Sequence, residues 1–122
     1  MALSSFGSFT FIRLFLRLFN FNSRPIAQNQ TEAVSEGNVL NGQLVGSDPN
    51  GDSITFQLLP NQVILAGFTF NADGSYSFDA TVSEYEGLNT NDTESFTFNY
   101  VVKDSRGAIS QTRTLTINLT GY

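Results

Sequence analysis

The chain has 122 residues, enough for one domain with its own core, and contains neither cysteine nor histidine. That composition removes disulfides, thiolate metal sites, a serine–histidine relay and the commonest general base. A net charge of −5 argues against a nucleic-acid surface, which would be basic.

The charge is unevenly spread along the chain. Residues 1–24 hold Arg13, Arg17 and Arg24, no acid, and half of the 12 Phe. All 11 acids lie beyond them, beside Lys103, Arg106 and Arg113. We therefore read an apolar, basic N-terminal arm over residues 1–24 and an acidic body over residues 25–122. Few charges and many Ser, Thr, Asn and Gly suit a β-rich extracellular module.

A signal peptide places its charge before an unbroken apolar run, whereas Arg13 and Arg17 interrupt this one. The arm is also too short and too charged to span a bilayer. Wound as a helix, it stacks Arg13 and Arg17 at i, i+4 and makes a basic membrane-surface helix. Extended, it puts Phe9, Phe11, Phe15, Phe19 and Phe21 on one face with the two arginines, and Ile12, Leu14, Leu16 and Leu18 on the other. The β-propensity of Phe and Ile favours the strand. Either way a large apolar patch needs a cover. The candidates are a sheet edge of the next subunit, the chain's own body, or a membrane surface; the arm is otherwise a gene-start artefact. A head-to-tail contact that does not close builds a filament, and we take that as the first expectation.

Along the body, Val39, Leu44 and Val45 suggest a strand. Ile54, Phe56 and Leu58 make another after the Asp48–Asp52 turn. Phe68 and Phe70, then Tyr76 and Phe78, flank Asn71-Ala72-Asp73-Gly74, a hairpin signature. The stretch Thr81–Leu88 has room for a single helical turn. Phe96, Phe98, Tyr100 and Val102 alternate with polar or small partners, the period of a strand with one face inward. After the turn at Asp104-Ser105-Arg106-Gly107, Leu115, Ile117 and Leu119 alternate likewise. About seven short strands in this length predict an antiparallel β-sandwich, with a small closed barrel as the alternative.

The stretches RPIAQNQTEAVSEGNVLNGQLVGSDPNGDSITFQL, FTFNADGSYSFDA and ESFTFNYVVKDSRGAISQTRTLTINLTGY resemble the VCBS-repeat and bacterial cadherin-like group. An acidic turn entering a Thr-Phe strand, a D-G-S-Y-S-F hairpin and a Thr-rich last strand occur in the family's order over residues 25–122. The resemblance implies an Ig-like sandwich of secreted or surface adhesins, often tandem and often calcium-dependent. This sequence departs from the pattern at Pro25-Ile26-Ala27-Gln28-Asn29, where the family carries an Asp. It also ends at Gly121-Tyr122, so we expect no tandem array within it.

Asp48, Asn50 and Asp52 place three oxygen-bearing side chains on one tight turn, and Ca²⁺ takes about six to eight oxygens. The twelfth position counted from Asp48 is Leu59, so this is no EF-hand. Asp104, closing its strand, and Glu36, ending the first, are the further candidate ligands at one pole. The alternative is that Asp, Asn and Gly simply form turns by bonding their own backbone. Glu84, Glu86, Asp92 and Glu94 offer paired carboxylates, but they lie in a polar loop without an aromatic cleft, and we expect no enzyme. The glycosylation-type triplets at Asn29, Asn91 and Asn118 are at the frequency chance supplies.

The expectation is thus a non-enzymatic extracellular structural protein, a self-assembling filament subunit working through Phe9, Phe11, Phe15, Leu16, Leu18, Phe19 and Phe21. Its alternative is a calcium-binding cell-adhesion module, with a cell-surface or glycan ligand, whose arm is a membrane or export segment.

Overall fold

A computed structural model describes residues 22–85 and 87–121, so the arm residues Phe9 to Phe21 lie outside the described residues. Among the described residues nine strands form: β1 (Ile26–Ala27), β2 (Gln30–Ser35), β3 (Val39–Gln43), β4 (Gly46–Ser47), β5 (Ile54–Leu58), β6 (Phe68–Phe70), β7 (Ser75–Asp79), β8 (Thr93–Asp104) and β9 (Arg113–Thr120). One sheet runs β2-β9-β8-β5, a second runs β3-β7-β6, and β1 pairs with β4 as a short ribbon. Seven strands in two main sheets make the β-sandwich that alternation predicts.

The period-two pattern does the work. Along β8, Phe98, Tyr100 and Val102 are buried and point inward, and β9 supplies Leu115, Ile117 and Leu119 to the same core. Opposite them stand Phe68 from β6 with Tyr76 and Phe78 from β7. Phe78 contacts both Phe96 and Tyr85, at ring centroid separations of 5.8 and 5.2 Å, and so closes one end of the core. Tyr85 ends the 3-10 turn Ser83–Tyr85, in the stretch with room for one helical turn. Between β6 and β7, Asp73 Oδ1 accepts from the backbone N–H and the hydroxyl of Ser75, fixing the hairpin turn.

Two expectations need correction. The sandwich is not wholly antiparallel, because β2 pairs parallel with β9, Gln30 opposite Leu115 through Ser35 opposite Thr120. Its sequence QTEAVS is polar because β2 is an edge strand with half-buried and exposed residues in alternation. The strand suggested by Val39, Leu44 and Val45 covers only Val39–Gln43. Leu44 is buried beyond its end, while Val39 and Val45 are exposed.

Strand lengths define two poles. At one, Ile54 pairs with Asp104 and the Asp48–Asp52 turn leads into β5. At the other, Thr93 pairs with Thr120, beside Ser35 and the Val39–Asp79 pair. We call these the entry pole and the far pole.

Candidate metal centre

Asp104 continues the inward phase of Phe98, Tyr100 and Val102, so the alternation that buries three apolar side chains next buries a carboxylate. It is 3% exposed. Its Oδ1 accepts from the backbone N–H of Arg106 at 3.0 Å and of Ala108 at 2.8 Å, and Oδ2 from Asn22 Nδ2 at 2.7 Å. Burial alone would raise its pKa, but the bonds from Asn22 and the two backbone N–H groups outweigh it and hold the carboxyl below its ordinary value.

Asp52 lies two residues before inward-facing Ile54 and shares its phase. Asp48 sits at the start of the same turn, where its Oδ1 accepts from the N–H of Asn50 at 2.8 Å and of Asp52 at 3.2 Å. Gly51, at φ 77°, donates to the Asp48 carbonyl and lets the turn close tightly. Carboxylate oxygens of Asp48, Asp52 and Asp104 all fall within 4.8 Å of one another. Ligands about 2.3–2.6 Å from one Ca²⁺ can be no farther apart than about 5 Å, so the spacing fits a shared cation.

Three buried oxygens here accept no hydrogen bond: Asp48 Oδ2, Asp52 Oδ2 and Asn22 Oδ1. Leaving such acceptors unpaired costs about 1–3 kcal/mol each, more where they are charged. The nearest compensation is Arg106, whose Nε lies 3.6 Å from Asp52 Oδ2. The two readings of the turn are therefore compatible, since Oδ1 of Asp48 organises the backbone while its Oδ2 is left for a ligand. Hard carboxylate and amide oxygens without nitrogen or sulfur ligands suit Ca²⁺.

The other candidates are placed differently. Asn50 uses its side-chain oxygen to accept the Ser23 N–H at 2.8 Å, so it ties the entering chain to the turn. Glu36 is at the far pole, following Ser35, which pairs with Thr120. It is not brought to the cluster, because β2 carries the chain the length of the sandwich before β3 returns it. At about 3.3 Å per residue the twelve-residue β8 separates the poles by roughly 36 Å. Asn22 is the member sequence reading missed, because it fell on the arm side of Arg24–Pro25. Its signal is position: it stands three residues before Pro25, where β1 pairs with β4 directly before Asp48. Of the loop acids, Asp92 accepts the Asn89 N–H and serves a turn.

An all-β fold of two packed sheets with the first long strand parallel to the last defines an Ig-like sandwich. A family model, the bacterial cadherin-like domain, matches residues 22–121, and the chain belongs to that family. Domains of this kind are typically non-enzymatic and extracellular or surface-associated, and they generally bind calcium. Among the described residues no helix is long and apolar enough to cross a membrane. Among curated proteins none matches. The tandem Ig repeats of Dlar are similar at 13% identity and TM-score 0.41, over 78% of this chain and 48% of that one. The N-terminal Ig1-2 module of the Drosophila receptor protein tyrosine phosphatase DLAR gives 12% identity and TM-score 0.41 over the same shares. This chain thus spans about half the length of either. The titin M3 domain is similar at 12% identity and TM-score 0.36, over 80% of this chain and 96% of that one.

Proposed function

We propose that the protein is a calcium-binding adhesive module of an extracellular or surface structure. The observation that carries this is the entry-pole cluster, in which Asp48, Asp52 and Asp104 converge with three buried oxygens lacking a hydrogen bond. Ca²⁺ held there would neutralise clustered negative charge and join the β4–β5 turn, the end of β8 and the segment entering at Asn22. The three carboxylates and Asn22 supply four oxygens, and backbone carbonyls or water complete the shell.

A ligand that binds the native state alone raises the melting temperature. Millimolar Ca²⁺ should therefore raise it relative to chelator, and Asp52→Ala should abolish the difference. Equal melting curves with Ca²⁺ and chelator would reduce these residues to turn formers. A self-assembling filament subunit is the second reading, and the described feature that favours it is an open edge along β8.

A further inference from the structure

The chain contains two Asn-Gly pairs, Asn41-Gly42 and Asn50-Gly51. In such a pair the glycine nitrogen can close a small ring onto the side-chain carbonyl carbon of the asparagine, because glycine has no Cβ to shield its own nitrogen. The reaction has two structural requirements. The nitrogen must not be locked into a ladder, and the main chain around it must be free to turn.

The fold treats the two pairs differently. Asn41 and Gly42 lie inside β3, opposite Ser77 and Tyr76 of β7. Gly42 shares the phase of Leu44, whose N–H donates to the Gly74 carbonyl at 2.9 Å, so the Gly42 nitrogen faces the ladder. The Tyr76 ring covers it, and a Cβ at Gly42 would collide with that ring. Asn50 and Gly51 instead lie between β4 and β5, outside any strand. Asn50 is exposed, and a Cβ at Gly51 would meet nothing within 4 Å. The Gly51 nitrogen makes a turn bond to the Asp48 carbonyl at 3.0 Å. A turn bond of this kind opens locally without unpairing a strand.

The electrophile is prepared as well. Asn50 Oδ1 accepts the Ser23 N–H at 2.8 Å. That donor polarises the side-chain carbonyl and meets the negative charge that grows on Oδ1 when a nucleophile adds to Cγ. Water and its conjugate base are the only reagents the step needs. Solvent base removes the Gly51 amide proton, and the nitrogen adds to Asn50 Cγ to form a C–N bond. The Cγ–Nδ2 bond then breaks, and Nδ2 takes up a proton and leaves as ammonia. Water opens the resulting succinimide at either carbonyl, giving aspartate or isoaspartate at position 50.

We propose that Asn50-Gly51 is a self-modification site, which loses ammonia through a succinimide and so rewrites the turn carrying Asp48 and Asp52. Aspartate at position 50 adds a carboxylate to that turn and should tighten cation binding several-fold. Isoaspartate routes the main chain through the side-chain carbon, inserting a methylene between Asp48 and Asp52. It spreads carboxylate oxygens that now lie within 4.8 Å of one another and should weaken binding by about tenfold or more. The modification itself needs no ligand, whereas its effect on Ca²⁺ rests on the calcium-binding reading.

The test ages the full chain for days in neutral, calcium-free buffer and maps its peptides by mass spectrometry, with enzymatic methylation to count isoaspartate. The mass gain of exchanging NH2 for OH should accumulate at Asn50 and not at Asn41, and part of the product should be isoaspartate. In denaturant both asparagines should react, which shows that the fold is what spares Asn41. The rate at Asn50 should rise with pH, because the attacking nitrogen must first lose its proton. Asn50→Gln should stop the change while keeping a side-chain amide. An unmodified Asn50 in the folded chain, or equal conversion at Asn41, overturns the site. Conversion to aspartate without isoaspartate overturns the succinimide route. Calorimetric titration then compares the fresh chain, Asn50→Asp and the isolated isoaspartyl form. Equal Ca²⁺ affinities in all three overturn the effect on the turn. A fresh chain that binds no Ca²⁺ overturns the calcium reading and leaves the modification site standing.

Discussion

Phe68 of β6 and Phe98 of β8 stack face to face across the sandwich, with ring centroids 3.9 Å apart and planes 6° from parallel. This contact joins the two main sheets at the middle of the core, and Phe98 is 1% exposed. Phe98→Ala removes the ring and leaves a cavity that neither sheet can close. Denaturant titration should show a loss of about 3–5 kcal/mol. A loss below about 1 kcal/mol would mean the ring is not a core contact.

Gly67 precedes β6 with φ of 81°, and a Cβ there would stand 2.5 Å from the Asp79 carbonyl oxygen. The same pair is held by the Asp79 N–H donating to the Gly67 carbonyl at 2.9 Å. Gly67→Ala must therefore push main chain away from main chain in a backbone region that L residues avoid. The left-handed conformation and the clash together should cost about 2–4 kcal/mol by thermal or chemical unfolding.

Asn22 orients the buried Asp104 carboxylate and adds an oxygen to the cluster. Removing a group that orients a metal ligand typically costs about 10–100-fold in affinity. Asn22→Ala should weaken Ca²⁺ binding by about tenfold in calorimetric titration and also lower the calcium-free melting temperature, because it leaves the buried Asp104 Oδ2 without its donor. Unaltered affinity would place Asn22 outside the coordination sphere and its support.

Arg106 competes with a cation for Asp52, its Nε being 3.6 Å from an oxygen that takes no hydrogen bond. Both side chains are partly exposed, so the pair is worth at most about 1 kcal/mol. Arg106→Gln should accordingly tighten Ca²⁺ binding by about two- to fivefold. Weaker binding in that variant would show that Arg106 instead holds the turn in shape.

Asp104 also makes stability depend on acid. Its folded pKa is lowered, so its contribution is complete above the unfolded value of about 3.9 and is lost as pH falls through the folded value. In chelator, the melting temperature should hold between about pH 5 and 7 and fall below about pH 4. Asp73 and Asp79, lowered by hydrogen bonds from Ser75 and Thr81, add to the same fall. Asp104→Asn should therefore flatten part of it, and an unchanged slope would remove Asp104 from the cause.

Period-two alternation determined the strands locally. The runs at Phe96–Val102, Leu115–Leu119 and either side of Asp73-Gly74 each mark which face is buried, because one slip would turn every apolar side chain to water. The same phase, carried two residues further, already marked Asp104 and Asp52 as inward. What the sequence could not give locally is which ends of the strands meet. Glu36 and Asp104 each close a strand and look alike as pole residues. They are separated because β2 runs parallel to β9, a pairing between segments about 85 residues apart in the chain. Asn22 reaches Asp104 across 82 positions through a side-chain bond that no periodicity records. The open half of β8 likewise follows from β5 being five residues long against twelve, a mismatch that exists only once the two strands are in register.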